Sequence, residues 1–379
     1  MERFLRVYVA MKTISNRVRS ISICILSLGL FFSVPAALSE EPVKVGVILP
    51  LTGQATHVGK AIQNGMELAY QDLPETTKKK MTLLYEDDGM LPRNSIASFR
   101  KLLTLNRISV VVNASSQTGL ALAPLVERER LPFIVIARDP KIVEDRNYVM
   151  TFWNRAEDEV KATLAEMKCR GIERVAIVSA SHEGSVSFQK SFKSLSAEVA
   201  EVLLDEEFSS DETDFRTFIA RLNNLKDLEG LIVLLQPGQI GLFARQLQQN
   251  QLTVPLIGYN LFKDRKEVEV ADGALEGAWF VSPGAGTPEF WEKYKAAYPD
   301  DSDSLAAHGY DIVMLIAEAV ESGRTPQEIN QYLHRVVDFS GALGTYSASP
   351  ANNFDLPLSV LEISGDDFKD VSSSTCEKA

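Results

Sequence analysis

Asn113-Ala114-Ser115-Ser116-Gln117-Thr118 sets hydroxyls and amides directly behind the apolar run Ile108–Val112, and the same arrangement recurs along the chain. Thr52 follows Val43–Leu49, and Ala137-Arg138-Asp139 follows Phe133–Ile136. Ser179 and His182-Glu183 follow Val175–Val178, Gln236 follows Leu231–Leu235, and Tyr259-Asn260 follows Pro255–Gly258. Polar groups at strand ends, beside the starts of helices, offer fixed donors and acceptors to a small polar ligand. Each taken singly is equally a helix cap or a turn. Their recurrence at one edge points to a cleft.

The chemistry on offer is recognition rather than turnover. HExxH, CxxC, GxSxG and GxxxxGK[ST] are all absent, and no nucleophile and base stand at a known spacing. We therefore expect no enzyme, no cofactor and no metal. Asp87-Asp88, ahead of Gly89, reads as a strand-end turn before it reads as a metal site. Gly284-Ala285-Gly286 lacks the third glycine of a dinucleotide fingerprint and reads as a loop. The sequon Asn113-Ala114-Ser115 sits at a strand end, which favours a packed turn over a glycan.

These residues need elements to hold them. Short β-branched runs, adding Met81–Tyr85 and Gly277–Val281 to those above, alternate with helical patterns over Lys60–Leu73, Ser95–Leu105, Glu157–Cys169, Ser187–Ala200, Asp214–Leu225 and Ile240–Gln249. Alternation of this kind predicts parallel sheets covered on both faces. In 379 residues there are too many strands for one compact sheet, so the expected class is α/β with two doubly wound, Rossmann-like lobes. The segment Met150–Arg155 (MTFWNR) suits a chain passing between lobes.

Composition narrows the partners. With 51 acidic and 39 basic residues the net charge is −12, which argues against nucleic acid or an anionic membrane surface. Three cysteines and four histidines do not suit a disulfide scaffold or a multi-ligand zinc site. Residues 1–39 read as a signal peptide: Arg17 and Arg19, the apolar stretch Ile21–Val34, then small residues to Ser39. An uncleaved anchor is the alternative, and translation starts at Met1 or Met11. Removing 1–39 deletes five basic residues and one acid, taking the net charge from −12 to −16. Cys169 and Cys376 remain, either as a disulfide or as two incidental thiols.

In this order the segments resemble the type I periplasmic solute-binding proteins, in their leucine/isoleucine/valine-binding branch, over about residues 43–365. VKVGVILPLTGQATHVGKAIQNGMELA is similar to that family's first strand, ligand loop and helix. YEDDG, VVVNASSQTGLALAPLVERERLPFIVIA, GIERVAIV, TDFRTFIARL, HGYDIVMLIAEAV and FSGALGTYS follow in register. The resemblance implies two lobes joined by three crossovers that close on a ligand. It implies 43–152 with 283–341 in one lobe, 153–282 with 342–371 in the other, and a tail from 372. It further implies a periplasmic monomer that hands a small-molecule ligand to an inner-membrane ABC permease. A receptor of the same fold that reports to a signalling partner is the alternative.

Residue by residue, Ser116 matches a serine that binds the amino-acid carboxylate, with Ala114 and Ser115 beside it. Ala137 and Asp139 match the next carboxylate-binding loop, where a small residue followed by Ser or Thr is usual. Thr52, His182 and Tyr259 complete the expected lining. Asp139 departs from the pattern, since an acid there repels a carboxylate. Gly184 stands in place of an aromatic, Gln236 in place of a tyrosine, and Asn260 in place of the glutamate that pairs with the ligand ammonium. These departures imply weak binding of leucine, isoleucine and valine, and better binding of a ligand that lacks a free α-ammonium group or presents its positive charge toward Asp139. For export, amino-terminal sequencing of secreted protein should begin near Glu40; a mature chain still starting at Met1 or Met11 would refute it.

Overall fold

The computed structural model describes residues 41–53, 55–284, 286–299 and 305–372. The expected signal peptide and residues 373–379 lie outside them. Cys169 is disulfide-bonded, to a partner that also lies outside them.

The first sheet is built from β1 (Val43–Leu49), β2 (Met81–Asp87), β3 (Val110–Ala114), β4 (Phe133–Ile136) and β5 (Val149–Thr151), in the order β2-β1-β3-β4-β5, all parallel. Every residue of β3 and β4 is buried, as expected of strands covered on both faces. The helices α1 (Thr56–Asp72), α2 (Pro92–Lys101) and α3 (Ser116–Glu129) supply the cover. The second sheet begins with β6 (Arg174–Ala180), preceded by α4 (Ala156–Arg170) and followed by α5 (Glu183–Leu195). It continues through β7 (Glu201–Phe208), α6 (Arg216–Leu222), β8 (Gly230–Leu234), α7 (Ile240–Gln249), β9 (Leu256–Gly258), α8 (Arg265–Ala271) and β10 (Trp279–Pro283).

The chain then returns to the first lobe. Helices α9 (Pro288–Ala297), α10 (Ala306–Ser322) and α11 (Pro326–Leu333) share one core with β1, β3 and α1. The small sheet β11 (Phe339–Gly341), β12 (Gly344–Ala348) and β13 (Phe354–Asp355) stays with them, because Phe339, Tyr346 and Phe354 are buried in that same core. The chain rejoins the second lobe only at β14 (Leu358–Ser364), which pairs antiparallel with β10 and with the closing strand β15 (Asp367–Asp370). This corrects the boundary expected at residue 342. The second sheet runs β15-β14-β10-β9-β8-β6-β7.

One helical pattern ended earlier than expected, and a strand follows it that was not foreseen. Ser187–Ala200 is helical only to Leu195, and Glu201–Phe208 is an edge strand that the sequence pattern did not suggest. Its acids (Glu201, Asp205, Glu206, Glu207) hide the alternation, since an edge strand tolerates charge on its open side.

The returning segment docks through glycines. A Cβ on Gly65 of α1 would lie 1.9 Å from the Ala306 carbonyl oxygen, and one on Gly309 of α10 would lie 2.2 Å from the Ile62 carbonyl oxygen. Backbone meets backbone there, so no rotamer change relieves the clash. Gly65→Ala should cost about 1–3 kcal/mol of stability through overpacking, read as a lower urea midpoint; an unchanged midpoint would show that the helices can part.

Candidate functional site

In the first sheet β2 lies on one side of β1 and β3 on the other, so the chain order reverses between β1 and β3. In the second, β6 is flanked by β7 and β8 in the same way. Ligands bind open α/β sheets at the carboxyl ends of strands beside such reversals. The residues there are the loop after β1, Ser115 and Ser116 after β3, Ser181 and His182 after β6, and Gln236 after β8.

Asp87 fixes the first loop. Its carboxylate accepts from the N–H groups of Leu51 (2.8 Å), Thr52 (3.1 Å) and Gly89 (2.9 Å), and from the Thr52 hydroxyl (2.5 Å). Burial pushes its pKa up, but these donors outweigh it and hold the carboxyl below its usual range. Thr52 therefore gives its hydroxyl proton to the loop. Asp88 is buried and accepts from Met90 N–H, the Ser95 hydroxyl and the Asn113 amide, with its pKa raised by desolvation. The acidic pair is a turn. No group of three His, Cys, Asp or Glu among the described residues is placed to hold a metal.

Asn113 is buried, donating to the Ile48 carbonyl (2.8 Å) and accepting from the Thr118 hydroxyl (2.8 Å), so the sequon is packed away. The next residue is under strain. Ser115 has φ +111° and ψ 135° immediately before α3, a conformation that costs a non-glycine residue about 1–3 kcal/mol. Helix α3 has no side-chain cap, and the hydroxyls of Ser115 and Ser116 have no hydrogen-bond partner among the described residues. Ser115 N–H donates to the Ile136 carbonyl (3.0 Å), tying this turn to the one after β4. Asp139, in that second turn, accepts from Lys141 N–H (2.9 Å) and caps the 3₁₀ turn Pro140–Ile142. That bond uses one oxygen of its carboxylate.

On the second lobe the polar residues mostly satisfy one another. Tyr259 donates to the Leu235 carbonyl (2.8 Å), and the Gln236 amide donates to Tyr259 Oη (3.0 Å) and Ser185 Oγ (2.9 Å). Burial pushes the Tyr259 pKa up to about 12. His182 Nδ1 accepts from Gly184 N–H (3.3 Å) at the start of α5, and its pKa is lowered by desolvation and then by the Arg138 charge. Glu267 accepts from the N–H groups of Gly238 and Gly241 (2.9 Å for the latter) at the start of α7. A protein carboxylate already occupies that helix end.

Arg138 joins the lobes. It leaves β4 with a side chain only 9% exposed and meets Glu159 of α4, which is fully buried. Nη2 donates to Glu159 Oε2 (2.9 Å) and Oε1 (3.1 Å), Nε to Oε1 (3.3 Å), and Nη2 also to Asn260 Oδ1 (2.6 Å). The guanidinium lies 5.5 Å from the ring centres of both Trp153 and Tyr259. Trp153 Nε1 donates to Glu159 Oε1 (2.6 Å). Burial raises the Glu159 pKa, with Arg138 and Trp153 opposing it. Behind the cleft the three crossovers are bonded together: Asn154 to the Leu356 carbonyl (2.7 Å), and Gly284 N–H to the Pro357 carbonyl (2.6 Å).

Two lobes linked by three adjacent strands, with their sheet ends facing one another, have known counterparts. The profile of one family, described as periplasmic binding protein, matches residues 42–367. The chain belongs to that family. Among solved structures, a leucine-binding protein from Thermotoga maritima superimposes with a TM-score of 0.78 at 20% identity, covering 86% of this chain and 97% of that one. The branched-chain amino acid transporter substrate-binding protein of Streptococcus pneumoniae, in complex with isoleucine, gives 0.77 at 20%, covering 86% and 98%. An ABC-transporter solute-binding protein from Rhodopseudomonas palustris, in complex with 3,4-dihydroxybenzoic acid, gives 0.75 at 21%, covering 90% and 100%. At these identities the likeness is one of fold. No curated protein matches the chain.

Within this periplasmic binding protein, Arg138 and Glu159 are the residues that sequence reasoning passed over. Arg138 stood between two positions of interest, and Glu159 lay unremarked within the helical pattern Glu157–Cys169. The usable signal was a lone arginine at a strand end. His308 of α10 was missed as well. It is buried, stacks on Trp153 (5.0 Å between centres, 17°), and neither ring nitrogen has a hydrogen-bond partner among the described residues.

Burial, with a smaller push from Lys263, lowers the His308 pKa to about 3, from 6.5. Between these values the unfolded chain binds the extra proton, so stability is lost as pH falls, at up to about 1.4 kcal/mol per unit. Asp311 works the other way: burial raises its pKa to about 6, so folding takes up its proton first and gains stability on acidification between about 6 and 3.8. His308→Phe removes the first contribution and leaves the second. The variant should lose less stability than the parent between pH 6.5 and 4.5 by urea unfolding; identical pH slopes would refute this.

Proposed function

We propose that this chain is the solute receptor of an ABC importer, capturing a small carboxylate-bearing solute between its lobes and presenting it to an inner-membrane permease. Support for the ligand class comes from the start of α3. There an uncapped helix end at the strand-order reversal carries the partnerless hydroxyls of Ser115 and Ser116. Backbone N–H groups and hydroxyls so placed stabilise an anion. The strained Ser115 fits a residue held in position for a contact rather than for folding. The related folds support the same class, since those named above are described with leucine, isoleucine or a hydroxylated benzoate as ligand. Binding by hinge closure draws on the bonded crossovers, and Trp153, at the first of them, is the natural fluorescence reporter.

A thermal-shift screen of amino acids, oxo acids, dicarboxylates and benzoates tests this reading. A ligand at 100 times its dissociation constant stabilises the folded state by about 2.7 kcal/mol. Ser116→Ala should weaken the best ligand by about 0.5–1.5 kcal/mol for a neutral hydrogen bond, and by more if the oxygen is charged. A screen in which no small molecule moves the melting temperature, or a best ligand indifferent to Ser116→Ala, would overturn it.

A further inference from the structure

The guanidinium of Arg138 has one corner to spare. Its Nε and Nη2 serve Glu159, and Nη2 also serves Asn260. Among the described residues nothing accepts from Nη1. The nearest wall in that direction is α5, where residue 184 is a glycine. A Cβ built on Gly184 would stand 3.7 Å from Nη1 and 3.6 Å from His182 Nδ1, so a longer side chain there would crowd this corner. The rest of the group is held rigidly, with Glu159 on one edge and the rings of Trp153 and Tyr259 within reach of the cation. A guanidinium fixed in this way is a preorganised receptor for a planar oxygen pair or a single strong acceptor.

Charge and polarity decide what such a cleft accepts. The first-lobe wall presents the uncapped amino end of α3, which favours negative charge. The second-lobe wall presents Asn260 and His182, with Arg138 reaching over from the first lobe, and none of these three carries a negative charge. Among the described side chains, the Glu159 carboxylate is committed to Arg138 and Trp153, and one oxygen of Asp139 accepts from the Lys141 backbone. A ligand ammonium placed beside this guanidinium would face the Arg138 cation, and a buried unpaired charge is costly.

Resting on the binding-protein reading, we propose that Arg138 is the specificity-determining residue of the cleft. Its Nη1 corner, in the space left by Gly184, receives a second oxygen acceptor of the ligand. The ligand class is then a carboxylic acid that carries a further hydroxyl, oxo or carboxylate oxygen and no amino group.

The test compares acids with amino-bearing counterparts by calorimetry on the mature chain. The acids are 4-methyl-2-oxopentanoate, succinate and 4-hydroxybenzoate; the counterparts are leucine, which shares the carbon skeleton of the first with an ammonium in place of the oxo group, and benzamidine. At least one acid should bind about tenfold or more tighter than leucine and benzamidine. Gly184→Leu should weaken that acid by about tenfold or more while Arg138 stays in place. Arg138→Met combined with Glu159→Gln, which removes both charges together, should bring the acid and leucine within about threefold of each other. Leucine binding as tightly as the acids, or an acid preference that survives the double substitution, would overturn the proposal while leaving a binding protein intact. If none of these acids binds and no solute in the wider screen does either, both readings fall.

Discussion

Taking a guanidinium and a carboxylate out of water is expensive, and this chain does it where its two lobes meet. Such a pair returns its desolvation cost only with close geometry and with its remaining polar atoms satisfied. Arg138 and Glu159 meet those terms at every polar atom but Nη1: a two-pronged contact, an indole N–H on the carboxylate, an amide oxygen on the guanidinium and aromatic rings around the cation. Removing either partner would strand a buried charge at a cost of about 3–5 kcal/mol. The relative placement of the strand-end loops therefore depends on a contact between residue 138 of one lobe and residues 159 and 260 of the other.

The fold makes that contact possible through a constraint on parallel sheets. Strands buried on both faces leave polar groups little choice but the strand ends, and right-handed crossovers put successive helices where those ends become helix starts. In the first lobe this yields two kinds of helix entry. Some are satisfied internally, as Asp139 does for its 3₁₀ turn; the start of α3 is not. In the second lobe His182 and Glu267 fill the starts of α5 and α7. The asymmetry leaves an open helix end facing a wall already closed around an arginine.

The return of residues 288–356 to the first lobe serves the same arrangement. Glycines at 65 and 309 let α1 and α10 approach backbone to backbone. That brings His308 against Trp153, whose indole in turn holds Glu159. Packing in the core of one lobe thus reaches the interlobe ion pair through a single aromatic stack.

Much of this was written in the chain. The β-branched runs gave four of the five strands of the first sheet and four of the seven of the second, because a strand buried on both faces must be continuously apolar, and the ordered segments pointed to the right family. The polar residues at the strand ends were also visible, since each follows its run directly. What the pattern concealed were elements and contacts whose meaning lies in a partner far along the chain. The edge strand Glu201–Phe208 is too charged to read as one, and Phe339, Tyr346 and Phe354 declare their lobe only by the core they enter. A hydroxyl or carboxylate in a turn looks the same whether it is free or spent. Only the folded chain shows Thr52 held by Asp87, Asp139 turned into a cap, and Arg138 reaching across to Glu159 and Asn260. Sequence determined which polar residues stand at strand ends, because hydrophobic periodicity is local; tertiary structure decided which of them are bonded to the rest of the chain, because contacts such as Arg138 with Asn260 join residues 122 positions apart.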